Sequence, residues 1–155
     1  GGLQNSLHYR EWELNFLFQF VKQLGKHPIY GNTNSPGGTS NEAKEIFNRW
    51  QKSGDITSYQ QFTQSIGPVY TQQQLVAQSN AALIDASFVR LKNLSLSYSL
   101  PAKLLTKVNV ATCRFYVQGQ NLLTITGYKS LDPENQSFSF LPPLKMFSAG
   151  MQMTF

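Results

Sequence analysis

Phe147-Ser148-Ala149-Gly150-Met151-Gln152-Met153-Thr154-Phe155 alternates without a break. Side chains alternate across a β-strand, so odd-numbered Phe147, Ala149, Met151, Met153 and Phe155 share one face. Ser148, Gly150, Gln152 and Thr154 share the other. The stretch predicts a strand with one apolar face and one wet face.

The same period recurs upstream. Trp12, Leu14, Phe16, Phe18 and Phe20 alternate with Glu13, Asn15, Leu17 and Gln19. Leu3, Asn5 and Leu7 mark a shorter strand before them, with a tight turn at Arg10-Glu11. Leu94, Leu96, Tyr98 and Leu100 alternate with serines and Asn93 up to Pro101, which ends that strand. Arg90 and Lys92 carry the parity of its apolar face at the N-terminal end. Ala111, Cys113, Phe115, Val117 and Gly119 alternate with Thr112, Arg114, Tyr116, Gln118 and Gln120. The predicted strands cover about 3–9, 12–21, 87–100, 110–120 and 146–155.

Connections between them run short, long, short, long. Ala102–Asn109 is short, whereas 22–86 and 121–145 are long. Within the first long connection, Gly31–Ser40 reads as loop. Asn41–Trp50 reads as a short helix capped by Ser40 or Asn41. The Gln-rich stretch up to Asp85 has weak periodicity. Strands of about ten residues joined by alternating short and long connections form the pattern of an outer-membrane barrel. An antiparallel sheet with one wet face is the other reading of the same alternation.

Composition narrows the class. Of 155 residues, 41% are hydrophobic, 13% aromatic and only 14% charged, and 51 are Gln, Asn, Ser or Thr. That aromatic content excludes a charge-driven disordered tail. No apolar run approaches the ~18 residues of a membrane helix. One cysteine, Cys113, excludes a disulfide scaffold. The net charge of +5 arises from Arg90, Lys92, Lys103, Lys107 and Arg114, which lie in a span without acids. Five scattered bases read as a solvated surface, and no nucleic-acid partner is expected. The chain begins Gly1-Gly2 without Met, as a processed product or a piece of a longer protein does.

Ser148, Gly150, Met153 and Phe155 match the outer-membrane assembly signal: a polar residue, a glycine two on, a hydrophobic residue and a terminal aromatic. Such a strand needs an apolar lipid face and an interfacial aromatic anchor. Further motifs accumulate in order. Phe88–Pro101 contains Arg90-Leu91-Lys92-Asn93, then Leu96, Tyr98, Leu100 and Pro101. Gly119-Gln120-Asn121-Leu122-Leu123 ends the next strand. Gly127-Tyr128 and Asp132-Pro133-Glu134 follow. Upstream lie Gly1-Gly2 with Asn5 and Leu14, and Arg49-Trp50 with Gly54-Asp55. Together these resemble SusC/RagA-like TonB-dependent outer-membrane receptors across nearly all of the chain.

The resemblance implies an all-β fold: about five C-terminal antiparallel strands of a transmembrane barrel of about 22 strands, with two long extracellular loops. It implies a plug domain that this chain lacks. It also implies import of oligosaccharides or peptides across the outer membrane of a Gram-negative bacterium. The partners it implies are a SusD-like surface lipoprotein and TonB, the latter through the missing N-terminal part. Five strands cannot close alone, since the smallest bacterial membrane barrels have about eight. The alternative is a soluble all-β binding or interaction module.

Trp50, Tyr59 and Tyr70 lie in the first long connection, as loop-packing aromatics or as contacts for a partner or substrate. Arg90 and Lys92, at the outer strand end, are candidates for the phosphates of outer-membrane lipid. His8 and His27 read as surface or interface residues, and Cys113 as a buried or lipid-facing thiol. Asp132 and Glu134 lack a full calcium-loop pattern and read as a turn. No catalytic constellation, metal-ligand spacing or cofactor motif is visible, so an enzyme is not expected and no cofactor is implied.

Overall fold

The computed structural model describes residues 1–31, 41–106 and 110–155. In chain order their strands are β1 (Gly2–Tyr9), β2 (Trp12–Val21), β3 (Leu24–Lys26), β4 (Leu83–Asp85), β5 (Phe88–Ser99), β6 (Thr112–Thr126) and β7 (Met146–Thr154). Two α-helical segments are α1 (Pro68–Ala77) and α2 (Ala102–Leu105). The chain divides into two compact units, one of Gly1–Val21, Phe88–Thr126 and Pro142–Phe155, the other of Lys22–Ser87 and Gly127–Leu141.

The first unit is an antiparallel sheet of order β1-β2-β5-β6-β7. Arg10 takes a left-handed conformation (φ 54°) in the turn that pairs Tyr9 with Trp12. The register fixes the two faces. Leu7 pairs with Leu14, Leu14 with Leu96, Leu96 with Val117 and Val117 with Ala149. One residue further along β2, Ser6 pairs with Asn15, Asn15 with Ser95, Ser95 with Gln118 and Gln118 with Ser148. Each strand contributes apolar side chains to one face and polar ones to the other, as the alternation predicts.

The alternation fails at one place. A β-bulge in β5 at Lys92 shifts the register between Leu91 and Asn93. One extra residue on a strand reverses the parity on its far side. Val89 and Leu91 therefore pair with Phe20 and Phe18 on the apolar face, and Arg90 pairs with Gln19 and Thr124 on the polar face. Arg90 does not share the apolar parity read from the sequence. Opposite the bulge, Asn121 adopts φ 54° and β6 continues to Thr126, six residues past the predicted end at Gln120.

The second unit holds the β3–β4 hairpin, α1 and two short 3₁₀ turns, Lys44–Asn48 and Asn80–Ala82. The predicted helix over Asn41–Trp50 is reduced to the first of these turns. Its N-cap is Ala43, with no side-chain cap, so Asn41 does not serve. Ser40 and most of the Gly31–Ser40 loop lie outside the described residues. α1 arises in the Gln-rich stretch, where Pro68 occupies the first turn and tolerates the missing N–H there. Ile29, Ala82, Ala86 and Tyr128 form the buried apolar centre of this unit.

Candidate functional site

Within the second unit, Arg49–Asp55 is held by its own backbone. Gly54 sits at φ 93°, a conformation that L side chains rarely adopt. The Asp55 carboxylate accepts the amides of Gln51 (3.0 Å) and Lys52 (2.9 Å). The returning chain runs beside Trp50, whose amide donates to the Tyr59 carbonyl at 2.9 Å. Trp50 and Tyr59 thereby line one open cleft of about 550 Å³ with Ile56, Gln60 and Gln72. Tyr70, half-buried on α1, is not among the cleft's lining residues. Of the three loop aromatics singled out in the sequence, the structure brings together two.

A ring cluster adjoins them. His27 stands 5.3 Å from Tyr30 and 5.9 Å from Tyr59, and Tyr30 lies 6.3 Å from Phe62. His27 Nδ1 accepts the amides of Ile29 (3.1 Å) and Tyr30 (3.2 Å), so that nitrogen carries no proton. Burial draws the imidazole below its ordinary value, with Glu45 opposing weakly. Burial likewise raises the Tyr59 hydroxyl, helped by Glu45 and Tyr30. Beside this cluster a second cleft of about 340 Å³ is floored by Pro28, Ile29 and Ile84 and flanked by Glu45, Asp85 and Lys129. His27 is thus more than a surface histidine. Its short-range partners, Ile29 and Tyr30, leave no periodic trace in the sequence.

The segment from Gly127 to Leu141 is stitched onto the hairpin. Tyr128 Oη donates to the Lys26 carbonyl (2.8 Å), Gln23 Nε2 to the Pro133 carbonyl (2.6 Å) and Gln136 Nε2 to the Leu24 carbonyl (3.2 Å). A Cβ at Gly25 would lie 2.5 Å from that of Ala86, so this crossing requires glycine. Asp132, almost fully buried, accepts the amides of Glu134 (2.9 Å) and Asn135 (3.1 Å) through Oδ1. That is the turn expected from Asp132-Pro133-Glu134. The two long connections fold into one unit.

On the polar face of the sheet, Arg114 Nη2 reaches Glu13 Oε2 at 2.8 Å across the intervening β5. Asn15 donates to the other Glu13 oxygen (2.9 Å), and Ser6 Oγ donates to Asn15 Oδ1. Arg90 is 1% exposed, its Nε donates to Thr124 Oγ1 (2.9 Å) and its guanidinium lies over Phe88. A guanidinium enclosed on the polar side is withheld from lipid phosphates, which corrects the reading of Arg90. Lys92 sits at the bulge itself, half-buried. Cys113 is buried and pairs with Met153 along the apolar-parity row. In β7, Gly150 pairs with Tyr116, and Ser148 and Met153 fall on opposite faces as predicted. Phe155, past the strand end, is exposed.

Comparison with known proteins places this geometry. No family model matches the chain. It is 30% identical over 169 residues to the TonB-dependent receptor P3 of Formosa agariphila, covering 99% of the chain and 16% of that relative. A second receptor of that organism, P26, is 26% identical over 88% of the chain and 13% of its own length. The chain thus spans about one sixth of the first relative and about one eighth of the second. Among solved structures, the RagAB peptide importer in its open-open state matches all of the chain and 17% of its own, at TM-score 0.73 and 29% identity. Its closed-closed state matches at TM-score 0.71 and 28% identity, again over all of this chain and 17% of the other. Over nearly all of its sequence, and with a five-stranded antiparallel sheet, the chain is a homologue of one segment of the TonB-dependent receptors and is similar in fold to a segment of the RagAB peptide importer.

Proposed function

We propose that this chain forms part of the wall and outer surface of a TonB-dependent importer in the outer membrane of a Gram-negative bacterium. The observation that carries the reading is the match of the whole chain to one portion of the RagAB peptide importer at TM-score 0.73. The imported material is a large nutrient, an oligosaccharide or a peptide. The receptor works with a SusD-like lipoprotein outside and TonB inside. The edge strands β1 and β7 support this reading. Edges left open in lipid cost several kcal/mol per unsatisfied group, so neighbouring strands of a larger barrel must cover them.

In this reading the second unit faces outward and α2 lies in a periplasmic turn. The cleft of Trp50 and Tyr59 offers contacts to the lipoprotein or the substrate. Ser148, Gly150, Met153 and Phe155 act as the assembly signal, and Lys92, next to the outer end of β5, remains a candidate for lipid phosphate.

Cysteine labelling of intact cells tests the orientation, with Cys113 replaced in the full receptor. Ile56, fully exposed, should be labelled after replacement by cysteine, and Lys103 should not. Labelling only at Lys103 would reverse the topology. Deleting the receptor gene should abolish growth on one class of oligosaccharide or peptide. Recovery of the protein as a soluble species without heat-modifiable migration would favour the soluble module.

A further inference from the structure

We propose that the cleft flanked by Glu45 and Lys129 binds a short peptide with free ends, its ammonium at Glu45 and its carboxylate at Lys129. The proposal rests on the import reading and narrows it to one site and one chemistry.

The cleft holds about 340 Å³, within the ~300–1,000 Å³ range of small-ligand pockets. Pro28, Ile29 and Ile84 give it an apolar floor suited to an aliphatic side chain. Its charges are of both signs. Asp85 is already engaged, since its Oδ1 accepts the Ser87 amide at 2.8 Å. Glu45 and Lys129 form no ion pair or side-chain hydrogen bond among the described residues, although both line the cleft. A ligand entering here strips water from both charges, and only opposite charges on the ligand offset that loss. A zwitterion supplies both; a neutral sugar supplies neither. The rings are also partly engaged with one another, Tyr59 with Tyr30 (5.7 Å) and with His27 (5.9 Å), which leaves little free face for stacking a pyranose. The imidazole, held neutral by burial and by its two amide donors, adds no competing positive charge.

The test titrates the purified full receptor with four probes: alanyl-leucine, its N-acetyl form, its N-acetyl amide and maltotetraose. On the wild type, acetylation should weaken binding about tenfold or more, and amidation should weaken it further. Glu45→Gln should bind the free and N-acetyl forms alike. Lys129→Met should lose the preference for a free carboxylate. Equal binding of all three peptides by the wild type would overturn the proposal without reference to any variant. So would maltotetraose binding that falls in both variants while the peptides are unaffected. Binding to the purified receptor decides the cleft, and energised uptake by cells decides import. Intact uptake with no end-group preference would therefore sink the site and leave the import reading standing.

Discussion

Tyr116 lies across Gly150. The two are directly paired on neighbouring strands, and a Cβ at Gly150 would sit 2.5 Å from the Tyr116 hydroxyl oxygen and 2.6 Å from the ring carbon bearing it. The glycine of the terminal motif thus has a packing reason of its own. It leaves room for the phenol ring, which a Cβ at this position would crowd.

Gly150→Ala should therefore destabilise the full receptor by about 1–3 kcal/mol, the usual cost of overpacking. Tyr116→Ser should relieve most of that cost, because the two substitutions share one contact. The measurement is the urea dependence of the heat-modifiable band for both single variants and the double. An identical Gly150→Ala penalty with and without the tyrosine would show that the ring is not its cause.

Met151 pairs with Phe115 on the apolar face, and Gln152 with Arg114 on the polar one. Met151→Lys should cost about 2–4 kcal/mol if it faces the bilayer midplane, and Gln152→Lys much less. Removing Phe155 should reduce folded yield through loss of the interfacial anchor, and Thr154→Ser should not. Insertion of Met151→Lys at wild-type yield would refute the assignment of the lipid face.

Deleting Lys92 removes the bulge residue. Phe18 and Leu17, the partners of Leu91 and Asn93, are already consecutive, so Val89 and Leu91 would keep the apolar face and Arg90 the polar one. Assembly in outer membranes should therefore persist. A milder check is Thr124→Val, which takes away the acceptor 2.9 Å from Arg90 Nε and should cost about 1–3 kcal/mol. Loss of assembly in the Lys92 deletion would mean that β5 requires the bulge itself and not only the faces it sets.

His27 gives the second unit a pH dependence. The folded state lowers its pKa from the ordinary 6.5, so the unfolded state binds a proton first as pH falls. The contribution is complete above about pH 6.5 and declines below it, until the folded form protonates as well. A cation also loses the Nδ1 lone pair that accepts the Ile29 and Tyr30 amides. Hydrogen exchange of those two amides should accelerate between pH 7.5 and pH 5 beyond the chemical trend, and His27→Gln should flatten the effect. Unchanged protection across that range would remove His27 as its source.

The long strands were legible because each repeats one period over eight residues or more. Arg90 was misread for the same reason: counting by twos carries no mark of where a strand gains a residue, and nothing in Leu91-Lys92-Asn93 announces the bulge. α1 was missed because its glutamines form no apolar stripe, although Gly67-Pro68 is a helix-start signal that could have found it. The Trp50 motif was visible, and Gly54 with Asp55 explains its spacing. The cleft beside His27 was not, because it joins residues more than 80 positions apart, from His27 to Lys129.

The hydrogen bonds from Tyr128, Gln23 and Gln136 tie segments more than 100 residues apart into one body. Grafting either long connection alone into a related receptor would strand half of these donors and acceptors. Transplants between relatives should succeed only when both segments travel together. Natural variation in one should then be inherited with matching change in the other.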